Sequence, residues 1–145
     1  MPYIYAQAPK LRGKEKAGNG DCVDLVKSYF PGLKSLSATM CWRPGMNVFE
    51  NRHLIAPGTA IATFDNGRYS DDGKVSKHAA IFLRADGVNG IVVIDQWKRA
   101  RSISSRTIRK APALVKPDAN GRWPFASNIA EAFYVIALGS CQRVK

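Results

Sequence analysis

A cysteine, a histidine and an aspartate in this sequence have the types and spacing that nucleophilic hydrolysis requires. Cys22 follows the glycine-rich stretch GNGD at 18–21 and opens CVDLVKSYF, which has the apolar spacing of a helix. The thiolate is the reactive form of cysteine, and a helix N-terminus stabilises it, while unpaired backbone N–H groups there can hold an oxyanion. The stretch therefore predicts either a nucleophile at Cys22 or a buried structural cysteine at the start of a helix.

His78 and Asp95 are the candidate partners of this thiol, because a nucleophilic cysteine needs a base and the base needs an orienting acceptor. His78 opens the apolar stretch HAAIFL directly after a polar loop, and Asp95 follows 17 residues later, at the end of GIVVID. A hairpin turning at 86–90 would place the two nearly opposite each other. The alternatives are a strand-edge histidine without a role and an aspartate that only caps a strand. His53 lies in a loop and is predicted to be an ordinary surface histidine.

The elements that must position these residues can be predicted from the apolar pattern. A helix beginning at Cys22 should end at Pro31, since proline and glycine break helices. Residues 33–51 are predicted to form a mixed loop, with a helical turn inside it as the alternative left open, and residues 1–17 an irregular basic lead-in. Strands are predicted at 59–64, 78–84, 90–97 and 131–138, with a further one inside 101–109. A helix followed by mostly antiparallel strands predicts an α+β domain, with the helix packed on the sheet, that spans residues 1–145.

The charge is strongly positive, with 22 Lys and Arg against 11 Asp and Glu, which leaves +11. Such a balance predicts attraction to polyanions, and no acidic residue occurs from 98 to 117. A basic nucleic-acid-binding module or a non-catalytic wall-binding domain is therefore an alternative to an enzyme. We expect no nucleic-acid partner, because the sequence has no RNP, KH or zinc-finger signature and the alternative leaves Cys22, His78 and Asp95 unexplained.

No stretch reaches the roughly 18 apolar residues of a membrane span, so no membrane insertion is expected. The first 20 residues are too polar for a signal peptide. The sequence thus predicts a protein that is either cytoplasmic or exported by a route without a cleaved signal.

The three cysteines predict one disulfide rather than a metal site. They stand at 22, 41 and 141, without a CxxC motif, and neither histidine groups with them, so neither a zinc site nor another metal or cofactor is expected. Cys22 differs from the others in its setting. In an oxidising compartment Cys41 and Cys141 are the disulfide candidates, and Cys22 would remain a free thiol.

The order of several short motifs resembles a known group of enzymes. The motifs are GDCVDLVK, WRPG at 42–45, GTAIATF with NGRY at 58–69, HAAIFL, IDQW, and SN followed by EAFYVI at 127–136. Together they resemble the papain-like peptidoglycan amidases of the NlpC/P60 and CHAP type, and most closely the type VI secretion amidase effectors of family 2 and the BPSL0067-like proteins. The resemblance runs from about residue 18 to residue 136.

The resemblance implies a papain-like NlpC/P60-type fold and a peptidoglycan amidase that needs no metal. Cys22 would be the nucleophile, His78 the general base and Asp95 the third residue, although NlpC/P60 enzymes often have a histidine at that third position. Such effectors are expected to cleave the D-alanine–diaminopimelate cross-link of peptidoglycan. They are injected by the type VI secretion apparatus into the periplasm of rival bacteria, and a cognate immunity protein protects the producer.

Further residues are predicted near the substrate. Asp21, Trp42 and Arg43 could line the cleft, and Trp97, beside Asp95, could cover the catalytic pair or simply pack in the core. The basic segment 98–122 could hold anionic wall polymers and so assist substrate capture.

Overall fold

Six strands form one antiparallel sheet on which the other elements pack. In a computed structural model of the protein, the structure describes residues 2–35, 39–69 and 76–139. The strands are β1 (Trp42–Asn47), β2 (Thr59–Thr63), β3 (Ala79–Asp86), β4 (Gly90–Asp95), β5 (Ser104–Arg109) and β6 (Phe133–Leu138). Their spatial order is β1-β6-β2-β3-β4-β5, and each neighbouring pair is antiparallel. The predicted α+β class is confirmed, and the five predicted strands lie where the apolar pattern placed them, with small shifts at their ends.

Helix α1 (Cys22–Tyr29) packs on one face of this sheet through Leu25 and Val26, both fully buried. The apolar cluster on this face combines small side chains of the sheet, Ala60, Ala62 and Ala79, with larger ones such as Ile81 and Ile94. A second apolar cluster covers the opposite face. Since both faces are covered, every residue of β2 and of β4 is buried, which explains their nearly continuous apolar sequences.

Pro31 has a second function besides ending α1. The chain continues directly into a second short helix, α2 (Pro31–Ser35). Proline is favoured at the first position of a helix, because its missing N–H has no intrahelical acceptor there and its fixed φ suits the helix. The residue that terminates one helix therefore begins the next.

The prediction of a mixed loop over 33–51 missed the edge strand β1, whereas helical turns are present there, in α2 and in a 3₁₀ helix at Thr39–Cys41. Pro44 and Gly45 suggested a turn, yet an edge strand tolerates proline, and the pairing of β1 with β6 shifts between Pro44 and Asn47. A Cβ at position 45 would lie 3.0 Å from the Val135 carbonyl oxygen, so glycine permits the close approach of the two strands.

Residues 1–17, predicted as an irregular basic lead-in, contain one short 3₁₀ helix and pack into the core. Residues Ala8–Leu11 form a short 3₁₀ helix, and Ala8 and Leu11 are buried. Two hydrogen bonds attach the segment to the start of β2, from Ala60 N to Tyr3 O and from Tyr5 N to Gly58 O, at 2.9 and 2.8 Å. Ala8 and Leu11 stand among charged residues in the sequence, so the apolar pattern did not reveal that they are buried.

The cysteines differ in state. Cys41 is disulfide-bonded and buried, whereas Cys22 is a free thiol. Cys141 lies outside the described residues, so its pairing with Cys41 stays a prediction. No helix of the described residues is long and apolar enough to cross a membrane.

Candidate active site

Cys22 occupies the first position of α1, and the turn before it fixes the helix start. The carboxylate of Asp21 accepts a hydrogen bond from Asp24 N at 2.8 Å and so caps the helix. The carboxylate of Asp24 accepts one from Asn19 N at 2.7 Å, which closes the turn. Gly18 has a φ of +57° and a Cβ there would collide with Asp24, so a residue without a side chain is required. The backbone N–H of Cys22 has no acceptor within the helix and is free to face a ligand.

His78 lies immediately before β3 and is held at both its main chain and its ring. Its N–H donates to Thr63 Oγ1, and its carbonyl accepts from Thr63 N, both at 2.9 Å. Its ring packs edge-on against Phe133. Ring atom Nε2 lies 2.8 Å from Asp95 Oδ2. Because Asp95 occupies Nε2, the ring nitrogen left for Cys22 is Nδ1.

His78 contacts Asp95, as the hairpin predicted, but the two residues are not directly opposite each other. β3 and β4 pair Ile81 with Ile94, and the register shifts between Phe82 and Arg84. One further step along this register places Asp95 opposite Ala80 rather than opposite His78. Diagonal neighbours on the same face of a sheet remain within reach of long side chains, so the ring still meets the carboxylate.

Cys22 and His78 shift each other's titration in opposite directions. Burial alone would raise the pKa of the Cys22 thiol, but the interaction with His78, together with the Ala79 N–H and the Tyr69 hydroxyl, lowers it below the ordinary value. Burial alone would lower the pKa of His78, but Asp95 and Cys22 raise it. These directions favour a thiolate–imidazolium pair, which is the reactive state of a cysteine hydrolase.

Tyr69 is a further contact of the sulfur. Its hydroxyl lies 3.9 Å from Cys22 Sγ, and its ring packs on Trp42 with centroids 5.2 Å apart. Burial and the nearby sulfur raise the pKa of Tyr69, so its hydroxyl keeps its proton. When Cys22 is a thiolate, the hydroxyl of Tyr69 is therefore the donor in this contact.

Gln96 connects the end of β4 to the turn that carries Cys22. Its fully buried amide donates through Nε2 to Ala17 O at 2.9 Å and to Asp21 O at 2.7 Å. Its Oε1 accepts from Ala17 N at 2.8 Å. All three side-chain bonds fix main-chain groups of the 17–21 turn, so Gln96 determines where the helix start lies relative to Asp95.

Lysine side chains strengthen the same connection from both sides. Lys16 Nζ donates to the carbonyl oxygens of Trp97 and Lys98 at 3.2 and 2.7 Å, and Lys98 Nζ donates to Asn19 O at 3.0 Å. The turn before Cys22 and the segment after Asp95 are therefore held together as one unit.

Arg106 on β5 neutralises Asp95. Arg106 Nε donates to Asp95 Oδ2 at 2.6 Å, the same oxygen that His78 contacts. The remaining guanidinium nitrogens donate to Asn128 Oδ1 at 3.1 Å and to Ser127 O at 3.0 Å. Asp95 is fully buried, and a buried carboxylate is tolerated only when it is paired and hydrogen-bonded.

A cleft of about 330 Å³ opens beside His78. Its lining residues are Lys77, His78, Trp97, Arg106, Ser127 and Asn128. The described residues contain no group of three or more His, Cys, Asp or Glu side chains that could hold a metal ion. Of the three candidate side chains Cys22, His78 and Asp95, only His78 belongs to the lining of this cleft.

Comparisons with known proteins place the chain in a family. Residues 4–136 match the family model described as domesticated amidase effector 2. The type VI secretion amidase effector 2 protein of Salmonella typhi is 40% identical over 141 residues, with 94% of this chain and 99% of that protein covered. The solved structure of a type 6 secretion amidase effector 2 has a TM-score of 0.84 at 37% identity and covers 97% of both chains.

The chain belongs to the amidase effector 2 family. The resemblance stated from the sequence motifs is thereby confirmed, and the match in structure agrees with the predicted papain-like architecture.

In this member of the family, the predicted substrate-lining residues lie in different environments. Trp97 lies at the cleft, with 43% of its surface exposed. Trp42 does not line the cleft, because it is fully buried beneath Tyr69. The prediction for Trp42 is therefore not supported by its position.

The other two predicted lining residues are engaged with the protein itself. Asp21 uses its carboxylate to cap α1. Arg43 donates to the carbonyl oxygens of Met40 and Trp42 at 2.6 and 2.9 Å. His53 is exposed, as predicted.

Sequence reasoning gave no role to Tyr69, Gln96, Arg106 or Lys77. Gln96 directly follows Asp95 in the IDQW motif, and Tyr69 ends the NGRY motif. Both residues belong to motifs on which the resemblance rests, but neither has a local pattern that indicates a role in the site. Arg106 stood within a run of like charges, where no feature of the sequence distinguished it.

Replacing Asp95 by Asn should lower the titration midpoint of His78 and raise that of Cys22. The carboxylate raises the pKa of His78, so its loss should lower the midpoint of His78, measured by NMR. A less protonated His78 stabilises the thiolate less, so the midpoint of Cys22 alkylation by iodoacetamide should move to higher pH. The control is Asp86→Asn at the opposite end of β3, which should leave both midpoints unchanged; unchanged midpoints in Asp95→Asn would contradict the pairing.

Gln96→Glu should disturb the Cys22 turn while keeping the shape of the side chain. The carboxylate can still accept from Ala17 N, but it would face the carbonyl oxygens of Ala17 and Asp21 without a proton to donate. We expect the free energy of unfolding to fall by about 2–4 kcal/mol and Cys22 alkylation to lose its dependence on His78. The same substitution at exposed Gln7 is the control, measured by denaturant unfolding and alkylation rates. Wild-type behaviour of Gln96→Glu would show that the amide does not hold the turn.

Proposed function

We propose that this chain is a cysteine hydrolase that cleaves stem-peptide cross-links of peptidoglycan, with the D-alanine–diaminopimelate amide as the bond cut. The observation that carries the proposal is the free thiol of Cys22 at a helix start, coupled to a buried His78 that Asp95 holds through Nε2. Membership of the amidase effector 2 family supports the class of bond. A module that only bound polyanions would have no need of this buried arrangement.

The reaction follows from the positions of the three side chains. The Cys22 thiolate attacks the amide carbonyl, and the Cys22 N–H helps to hold the developing oxyanion. Imidazolium His78 then donates its proton to the departing amine, while Asp95 keeps the ring oriented and stabilises its charge. His78 next removes a proton from water, which attacks the acyl-enzyme and releases the thiolate. Each step uses a side chain of this protein, so no metal or cofactor is part of the proposal.

The biological setting is also a proposal and rests on the relatives, which are named as type VI secretion effectors. The type VI apparatus would deliver the chain into the periplasm of a rival bacterium, where peptidoglycan is the substrate. A cognate immunity protein would protect the producing cell.

Digestion of purified diaminopimelate-type peptidoglycan tests the reaction. Wild type should convert cross-linked muropeptide dimers into monomers, and mass spectrometry of the products identifies the bond. Cys22→Ala and His78→Ala should each be slower by at least about 10²–10⁴-fold, since nucleophile and general acid–base are lost. His53→Ala, at the exposed histidine, is the matched control and should behave as wild type. Dimer cleavage that persists in Cys22→Ala would reject the thiol mechanism.

Directed expression tests the place of action. Fused to a periplasmic signal peptide in a Gram-negative host, wild type should lyse the cells, whereas the same chain without the signal should not. Cys22→Ala with the signal is the control, and growth of cells that carry it should be normal. Equal toxicity from the cytoplasm would contradict a target in the wall.

A further inference from the structure

Arg106 and His78 share a single oxygen atom of Asp95. Arg106 Nε donates to Asp95 Oδ2 at 2.6 Å, and His78 Nε2 lies 2.8 Å from the same oxygen. The other carboxylate oxygen, Oδ1, is buried and has no hydrogen-bond partner among the residues that the structure describes. The described hydrogen bonds of the carboxylate therefore all end on Oδ2, so the charge that His78 meets there depends on Arg106.

Arg106 is held at this oxygen by the strand that carries it and by a third segment of the chain. β5 places Ser104 opposite Asp95, so Arg106, two residues further along and on the same face, is a diagonal neighbour. Its two terminal nitrogens donate to Asn128 Oδ1 at 3.1 Å and to Ser127 O at 3.0 Å. The positive charge is therefore fixed at the carboxylate and is not available to follow a ligand.

The charges around this carboxylate come from several elements. Asp95 is fully buried, and its ion pairs within the described part of the chain are those with His78 and Arg106. The other ionisable groups that act on the site are Cys22 and its contact Tyr69, Asp21 in the turn before α1, and Lys77 at the cleft. Among the described residues, Arg106 alone brings a permanent positive charge within bonding distance of Asp95.

The balance of charge in the site changes if Arg106 is taken away. With Arg106 present, its charge cancels that of Asp95, and transfer of a proton from Cys22 to His78 creates one negative and one positive charge. Without Arg106, the imidazolium would be the only cation bonded to a buried carboxylate, and a thiolate would add a second negative charge. Because an uncompensated charge at a buried site is costly, the thiolate would then be disfavoured.

We propose that Arg106 is a positioning residue of the hydrolysis, which acts through Asp95 by cancelling its charge and by holding Oδ2 in place for His78. This inference rests on the proposed function, because it concerns the state in which Cys22 attacks. Arg106 needs no contact with the substrate for this role, since it acts on His78 and Cys22 through the electrostatics of the buried site.

Arg106→Gln tests the proposal through the pH profile of muropeptide-dimer cleavage. A positive charge lowers the pKa of a nearby acid, so its removal should raise the titration midpoints of both Cys22 and His78. The bell-shaped profile of kcat/KM should therefore move as a whole to higher pH. At neutral pH, kcat/KM should fall about 10- to 100-fold, the range for loss of a hydrogen bond to a charged group. Asp95→Asn should instead narrow the profile, because it lowers the midpoint of His78.

Two further variants isolate the charge. Arg106→Lys keeps a positive charge and should keep the profile at the wild-type pH. Arg109→Gln is the matched control, because Arg109 is exposed on the same strand and pairs with Gly90, at the other end of β4 from Asp95. A profile that stays at the wild-type pH in Arg106→Gln, at any level of activity, would overturn the proposal, since a purely structural loss lowers the rate without moving the midpoints.

The midpoints also separate this proposal from the proposed function, because they need no substrate. Cys22 is followed by alkylation with iodoacetamide and His78 by NMR. If wild type cleaves no dimer, raised midpoints in Arg106→Gln would still support the role of Arg106, while the proposed bond would be rejected. If Arg106→Gln does not fold, nitrogen NMR of the wild type decides: the Arg106 Nε signal should shift at the midpoint of His78, because both groups bond to Oδ2. A signal that stays constant through that pH range would overturn the proposal.

Discussion

The side-chain amide of Gln96 is the contact on which the geometry of the site depends. Successive side chains of an extended chain point to opposite faces, so Asp95 and Gln96 serve opposite sides of the sheet. Asp95 meets His78 and Arg106 on one side, while Gln96 bonds the turn before Cys22 on the other, the side of α1. Cys22 and His78 come from distant parts of the chain, yet two consecutive residues at the end of β4 hold both of them in place. A displacement of this strand end would therefore move both groups together and preserve their separation.

The buried charges explain why the thiol and the imidazole titrate together. Arg106 balances Asp95, so this pair has no net charge in the interior. Moving a proton from Cys22 to His78 then leaves the total charge of the four groups unchanged. Ionising either one alone would leave an uncompensated charge at a largely buried site, which is costly. The lowered pKa of Cys22 and the raised pKa of His78 have the same cause, because each charged side chain stabilises the other.

The three candidate catalytic residues could be singled out from the sequence because each stands at the boundary of a strongly patterned element. Cys22 begins an amphipathic helix, and His78 and Asp95 flank two apolar strands joined by a short turn. The register could not be predicted, since the irregularity between Phe82 and Arg84 has no local signal. The role of Arg106 was hidden because it depends on the pairing of β5 with β4, a contact between segments that no single stretch reveals. β1 was missed for a different reason. Its Pro-Gly pair suggested a turn, but β1 lies at the edge of the sheet, where a strand tolerates proline.

The contacts of the basic segment 98–122 lead to a different interpretation of its charges. Read as sequence, it is a block of like charges that should bind polyanions. In the fold, Lys98 bonds to Asn19 O, Arg106 to Asp95 and Arg122 to Asp65, so three of its cations have partners within the protein. The first two of these stabilise the site itself. The acceptors of these three cations come from segments that folding brings beside them, and two of the acceptors, Asp95 and Asp65, are carboxylates that compensate the charge.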